Sequence, residues 1–140
     1  MKVVIGIVFS LLLLTAAVAP ASAHHAFAAE FDATICADVT GVLTRVDYVN
    51  PHAYIYLDVN DGGQTVEATF QLSSLSNLRR GGATYGKMNG NVGQEVTVRG
   101  CGSRNGEDHR YAASFIRLPD GSVQRLGQDV EGVFGTKIWR

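Results

Sequence analysis

The sequence predicts an all-β fold: a small barrel of five strands, with one short helix between the third and the fourth. Three observations carry this. From Ala53 to Asn60, apolar Ala53, Ile55, Leu57 and Val59 alternate with Tyr54, Tyr56, Asp58 and Asn60, the period of two that half-buried strands show. A long apolar-rich segment before it carries Gly41 in its interior, where a strand bends or bulges. Three strands, a short helix and two further strands, all between residues 39 and 121, follow one another in the element order of the OB-fold. A sandwich of five or six strands is the competing architecture, because element order alone does not separate the two.

The elements follow in turn. The first strand is expected over about residues 39–49, ending where Pro51, which has no amide hydrogen, makes the chain bend at Asn50-Pro51-His52. The second strand ends at Asn60-Asp61-Gly62-Gly63, residues that tolerate positive φ. The third, over 64–72, points Val66, Ala68, Phe70 and Leu72 inward and completes a hairpin. Ser73 or Ser74 can cap a short helix through Leu75 and Leu78, stopped by Gly81-Gly82. Residues 83–93 read as loop by composition. The fourth strand is expected over 94–100, with Val96 and Val98 inward, and the fifth over 111–118, before the turn Pro119-Asp120-Gly121.

What flanks the barrel differs in character. Lys2, the apolar run from Val3 to Leu14 and Ala21-Ser22-Ala23 have the three-part layout of a secretory signal peptide over residues 1–23. Residues 24–38 then form an arm, in which Phe27 and Phe31, four apart, either share one face of a short helix or pack the arm on the domain. Residues 122–140 are expected to be a weakly ordered tail. The expected location is periplasmic or secreted, with no stable membrane span after cleavage. The whole chain carries a formal net charge of −1, and cleavage removes only Lys2 of its charged residues. A slightly acidic protein is a poor neutraliser of phosphates, so nucleic acid is not an expected partner.

Export bears on the two cysteines. Cys36 and Cys101 are the only pair, and an oxidising compartment favours a disulfide between them. Free thiols or a metal pair are the rival readings, and no CxxC spacing supports the metal.

AHHAFAAEFD after the signal peptide, TGVLTRVDYVNPHAYIYLDV, NLRRGG, VGQEVTVRGC and RLPDG together resemble a family of exported bacterial proteins of unknown function, from about Ala23 to Gly121. The resemblance implies a small periplasmic β-barrel and brings no activity, substrate or catalytic residue. The cysteine pair is not part of the family pattern.

Three groups of residues could carry chemistry. If cleavage follows Ala23, the α-amino group and imidazole of His24 can chelate one ion. A further imidazole from His25, His52 or His109 would complete a nitrogen-rich, near-planar set of the kind Cu(II) prefers. The plainer account makes these histidines exposed arm residues, with His52 closing its turn on a backbone carbonyl. Tyr48, Tyr54 and Tyr56 form the second group: OB-folds bind ligands across strands two and three, where aromatic faces stack on rings. Equally, cross-strand aromatics stabilise a twisted sheet. Arg79 and Arg80 end the expected helix and complement its dipole, or meet an anion or acidic partner.

No GxSxG, HExxH or phosphate loop is present. The sequence therefore points first to a periplasmic module that binds a metal ion or small ligand, copper leading. A non-catalytic cell-envelope module with a protein partner comes second. A copper-dependent oxidoreductase comes last.

Overall fold

The computed structural model describes residues 29–127. The expected signal peptide, His24 and His25, and the tail beyond Gly127 lie outside those residues. Six strands and two short helices follow in the order β1 (Phe31–Asp47), β2 (Tyr54–Asp61), β3 (Gln64–Gln71), α1 (Leu75–Arg80), α2 (Tyr85–Asn89), β4 (Glu95–Ser103), β5 (Arg110–Arg117) and β6 (Val123–Arg125). The fold is mostly β, in one sheet of order β3-β2-β1-β4-β5-β6. Neighbours in that order run antiparallel, and β3 also pairs in parallel with β5, Thr69–Gln71 against Arg110–Ala112.

β1 organises the sheet. Its residues from Phe31 to Val42 pair with β4 and those from Val42 to Asp47 pair with β2. The change of partner falls beside Gly41, where β2 crosses so closely that a Cβ would stand 2.5 Å from the Asp58 carbonyl oxygen and 2.7 Å from Val59 Cγ1. Glycine is there because nothing larger fits. The bulge itself lies two residues on: Leu43 pairs with Leu57 but Arg45 with Tyr56, leaving Thr44 as the extra residue, its hydroxyl donating to the Tyr56 carbonyl at 3.1 Å.

β2 and β3 form the expected hairpin, with Tyr54 opposite Gln71 and Asp61 opposite Gln64, closed by Gly62 and Gly63 at positive φ. Asn60 Oδ1 accepts from the Gly63 amide at 3.0 Å. Ile55, Leu57, Ala68 and Phe70 are fully buried and meet Leu43, Val98 and Ile116 in the core. The disulfide is formed, joining Cys36 and Cys101 at directly opposed positions of β1 and β4.

Four expectations are corrected. The strand count is six, because the turn after Leu118 sends Val123–Arg125 back along β5 and seats Leu126 in the core, so an ordered segment follows residue 121. β1 begins at Phe31 rather than Val39: Phe31 is buried opposite Ser103, and the Arg104 amide donates to the Glu30 carbonyl at 2.8 Å. Residues 83–93, expected as loop, contain α2, whose amide at Lys87 donates to the Thr84 side chain and whose Met88 is buried. Finally, α1 takes no cap from the Ser74 side chain; the Leu75 amide donates instead to Asn50 Oδ1 at 3.2 Å. That bond ties α1 to the bend at Asn50–Pro51, a cis peptide.

Candidate functional site

The two histidines within the described residues lie at opposite ends of β2. His52, half-buried just ahead of the strand, has Nδ1 3.1 Å from the Leu72 carbonyl oxygen. His109 holds φ at 57°, and its Nε2 lies 3.3 Å from Asp61 Oδ2 at the far end. Each ring thus has a partner of its own, the Leu72 carbonyl for His52 and the Asp61 carboxylate for His109. Among the described residues no three His, Cys, Asp or Glu side chains gather as a metal-holding group. Arg79 and Arg80 are exposed in the last turn of α1, where Arg80 donates to Asn77 Oδ1.

The tyrosines do come together. Tyr48, Tyr54 and Tyr56 line one open cleft of about 730 Å³, with Val46 and Asp47 at the end of β1, Val49 just beyond it and Tyr85 at the start of α2. Local structure explains each position. On β2, Ile55 and Leu57 point into the core, so Tyr54 and Tyr56 face outward. The Thr44 bulge shifts β1 by one residue, so that Arg45 and Asp47 stand directly opposite Tyr56 and Tyr54 on that outer face.

The hydrogen bonding of the cleft is asymmetric. The Tyr48 hydroxyl donates to the Ala83 carbonyl at 3.0 Å, fixing its ring against the segment that leads into α2. The Tyr85 ring stands 5.7 Å from it, tilted by 55°. The Tyr54 hydroxyl donates to Gln71 Oε1 at 3.4 Å. The Arg45 guanidinium lies over the Tyr56 ring, 3.7 Å from its centroid, with its Nε 3.5 Å from Asp47 Oδ1. Contact with the Tyr56 side chain lifts the Arg45 pKa; partial desolvation opposes this, and the Asp47 and Glu67 carboxylates add to it. With the Tyr48 and Tyr54 hydroxyl protons committed, the cleft presents ring faces, acceptor oxygens and the hydroxyls of Tyr56 and Tyr85.

Tyr85, Arg45 and Asp47 are site residues that the sequence reading did not single out. Thr84 ahead of a tyrosine, with Lys87 in the following turn, was a weak cap signal for α2. The outward placement of Arg45 and Asp47 had no such signal, because it depends on the bulge.

The model of a family of unknown function, DUF6152, matches residues 12–112 of the chain. The chain belongs to that family. No curated protein and no solved structure matches it. The span matched to DUF6152 contains every lining residue of the cleft, both helices and the disulfide, and ends at Ala112, the last residue of the β3–β5 pairing. β6 lies beyond the DUF6152 match.

Proposed function

We propose that this protein is an exported, OB-like binding module that takes a small ligand in its tyrosine cleft. Four tyrosines, from the segment after β1, from β2 and from α2, converging on one open cleft carry this reading. The parallel pairing of β3 with β5, added to the antiparallel run β3-β2-β1-β4-β5, supports closure of the sheet as an OB-like barrel. Export rests on the layout of residues 1–23, and a disulfide between the only two cysteines fits an oxidising compartment.

The test is a panel of organic cations, neutral sugars and nucleosides added to the isotopically labelled protein, followed by amide NMR. A ligand that shifts the amides of Asp47 to Val49 and of Tyr54 to Tyr56, and no longer does so in the folded Tyr54→Ala/Tyr56→Ala variant, supports the cleft. A panel that leaves those amides unmoved overturns it.

A second reading, copper held by the mature N-terminus, has one structural observation in its favour. If Nδ1 of His52 carries the proton donated to the Leu72 carbonyl, Nε2 keeps a free lone pair, the arrangement in which ligating imidazoles are commonly oriented. His24 would supply the amine and a first imidazole, and His52 the second. Tight one-to-one Cu(II) binding that falls on His52→Ala substitution supports this; binding indifferent to His52 overturns it.

A further inference from the structure

The outer face around the cleft carries a charge pattern that the sheet does not need. In the β2–β3 register Asp58 lies directly opposite Glu67, and both are exposed. Like charges directly opposed across strands destabilise a sheet. Asp47 stands opposite Tyr54 on the same face, so acids flank the Tyr54–Tyr56 pair at both ends. Arg45 is the basic residue among them, and it is stacked on Tyr56. Arg110, next in the row beyond Thr69, is held by Glu30 at 2.8 Å and Glu107 at 3.1 Å.

The cleft is therefore electron-rich in three ways. Its ring faces carry the negative side of the aromatic quadrupole. Its one charged lining residue is a carboxylate. The hydroxyls of Tyr48 and Tyr54 have given their protons to Ala83 and Gln71, leaving their oxygens as acceptors. An anion would meet the Asp47 carboxylate and the negative ring faces, and Arg45, the cation beside them, is already engaged by Asp47 and the Tyr56 ring. A substituted ammonium ion is the ligand that the rings and the carboxylate together favour. It is held by ring faces and a nearby carboxylate, and Arg45 on Tyr56 shows that this face already accommodates an organic cation.

We propose that the ligand of this cleft is an organic cation of the substituted-ammonium class, bound on the faces of Tyr54, Tyr56 and Tyr85 with Asp47 as counter-charge. The inference rests on the cleft being the binding site, and deepens that reading. Arg45 then acts as an internal competitor, lying on a ring and beside the carboxylate that the ligand would use.

Choline and its neutral isostere, in which carbon replaces the nitrogen, are the probes, titrated by amide NMR into the wild type and four variants. Choline is expected to bind at least about tenfold more tightly than the isostere, the ratio expected of a partly desolvated cation–π site. Tyr56→Phe keeps most of that affinity and Tyr56→Leu loses about tenfold, since Phe retains a ring face and Leu does not. Asp47→Asn weakens choline and leaves the isostere unchanged. Arg45→Ala strengthens choline severalfold, by removing a competing positive charge.

Equal binding of choline and the isostere overturns the cation inference while leaving the cleft as a binding site. So does a failure of both where a sugar or nucleoside from the panel moves the cleft amides. Silence from every compound overturns the inference and the cleft reading together.

Discussion

Gly41 is a residue whose side-chain position is already occupied by the backbone of another strand. Its missing Cβ would meet the carbonyl oxygen of Asp58, backbone held in the hairpin ladder, so a larger residue must push β1 and β2 apart. Gly41→Ala is expected to destabilise by about 1–3 kcal/mol, the usual cost of overpacking, read as a lower urea midpoint with an unchanged slope. Tyr111 sets a different constraint. It is half-buried and stacked on Phe70 with ring centroids 4.9 Å apart, and burial raises its pKa, with smaller contributions from Asp61 and Asp108. A raised phenol pKa means that the folded state resists ionising more than the unfolded chain does. Its contribution is whole below the ordinary tyrosine pKa of about 10 and is lost as pH rises through the higher folded value. Stability should therefore decline above about pH 10, and Tyr111→Phe should flatten that decline. A pH–urea series on both proteins checks it; identical slopes would remove Tyr111 from the alkaline transition.

The elements show which signals a sequence carries. The hairpin of β2 and β3 was legible because Ile55, Leu57, Ala68 and Phe70 alternate with polar residues and Asn60-Asp61-Gly62-Gly63 closes the turn. β1 was legible only in its second half, since from Asp32 to Asp38 no residue is fully buried and no alternation appears. Period two continued from Leu43 would turn Arg45 inward; the Thr44 bulge turns it outward, onto Tyr56. The cleft's carboxylate, Asp47, and the guanidinium beside it were thus hidden by a single residue. α2 was missed because its five residues include Gly86 and its stop is Gly90, so composition read as loop and Tyr85 went with it. At this scale the cross-links can be tested. The disulfide fixes the half of β1 that few buried side chains hold, and Cys36→Ser/Cys101→Ser should cost about 2–4 kcal/mol. β6 should matter although it is only three residues long, because it carries the chain to Leu126, which is fully buried and whose amide donates to the Ser114 carbonyl at 2.8 Å. Leu126→Ala is expected to cost about 2–5 kcal/mol by thermal or chemical unfolding. A change near zero would mean that the core ends at Leu118.

For the whole molecule, the question of architecture reduces to one seam. The run β3-β2-β1-β4-β5 is held by long antiparallel ladders, whereas β3 and β5 share three paired positions, Thr69–Gln71 with Arg110–Ala112. Beside them the Thr69 amide donates to the His109 carbonyl at 2.8 Å, and the Phe70 and Tyr111 rings stack across the join, 18° from parallel. If the seam is integral, the sheet is a barrel and the outer face of β2 is backed by a closed core, which keeps the tyrosine cleft rigid. If it opens readily, β3 is an edge strand and the cleft stands on a mobile ribbon. Hydrogen exchange separates the two. In an integral seam the Thr69 and Gln71 amides exchange only by global unfolding, with the same free energy as the central amides of β4. Phe70→Ala should then lower global stability by about 3–5 kcal/mol, and the amides on both sides of the seam should lose protection together. Exchange of Thr69 and Gln71 at a far lower free energy than β4 would show the seam opening on its own, and would favour an open six-stranded sheet.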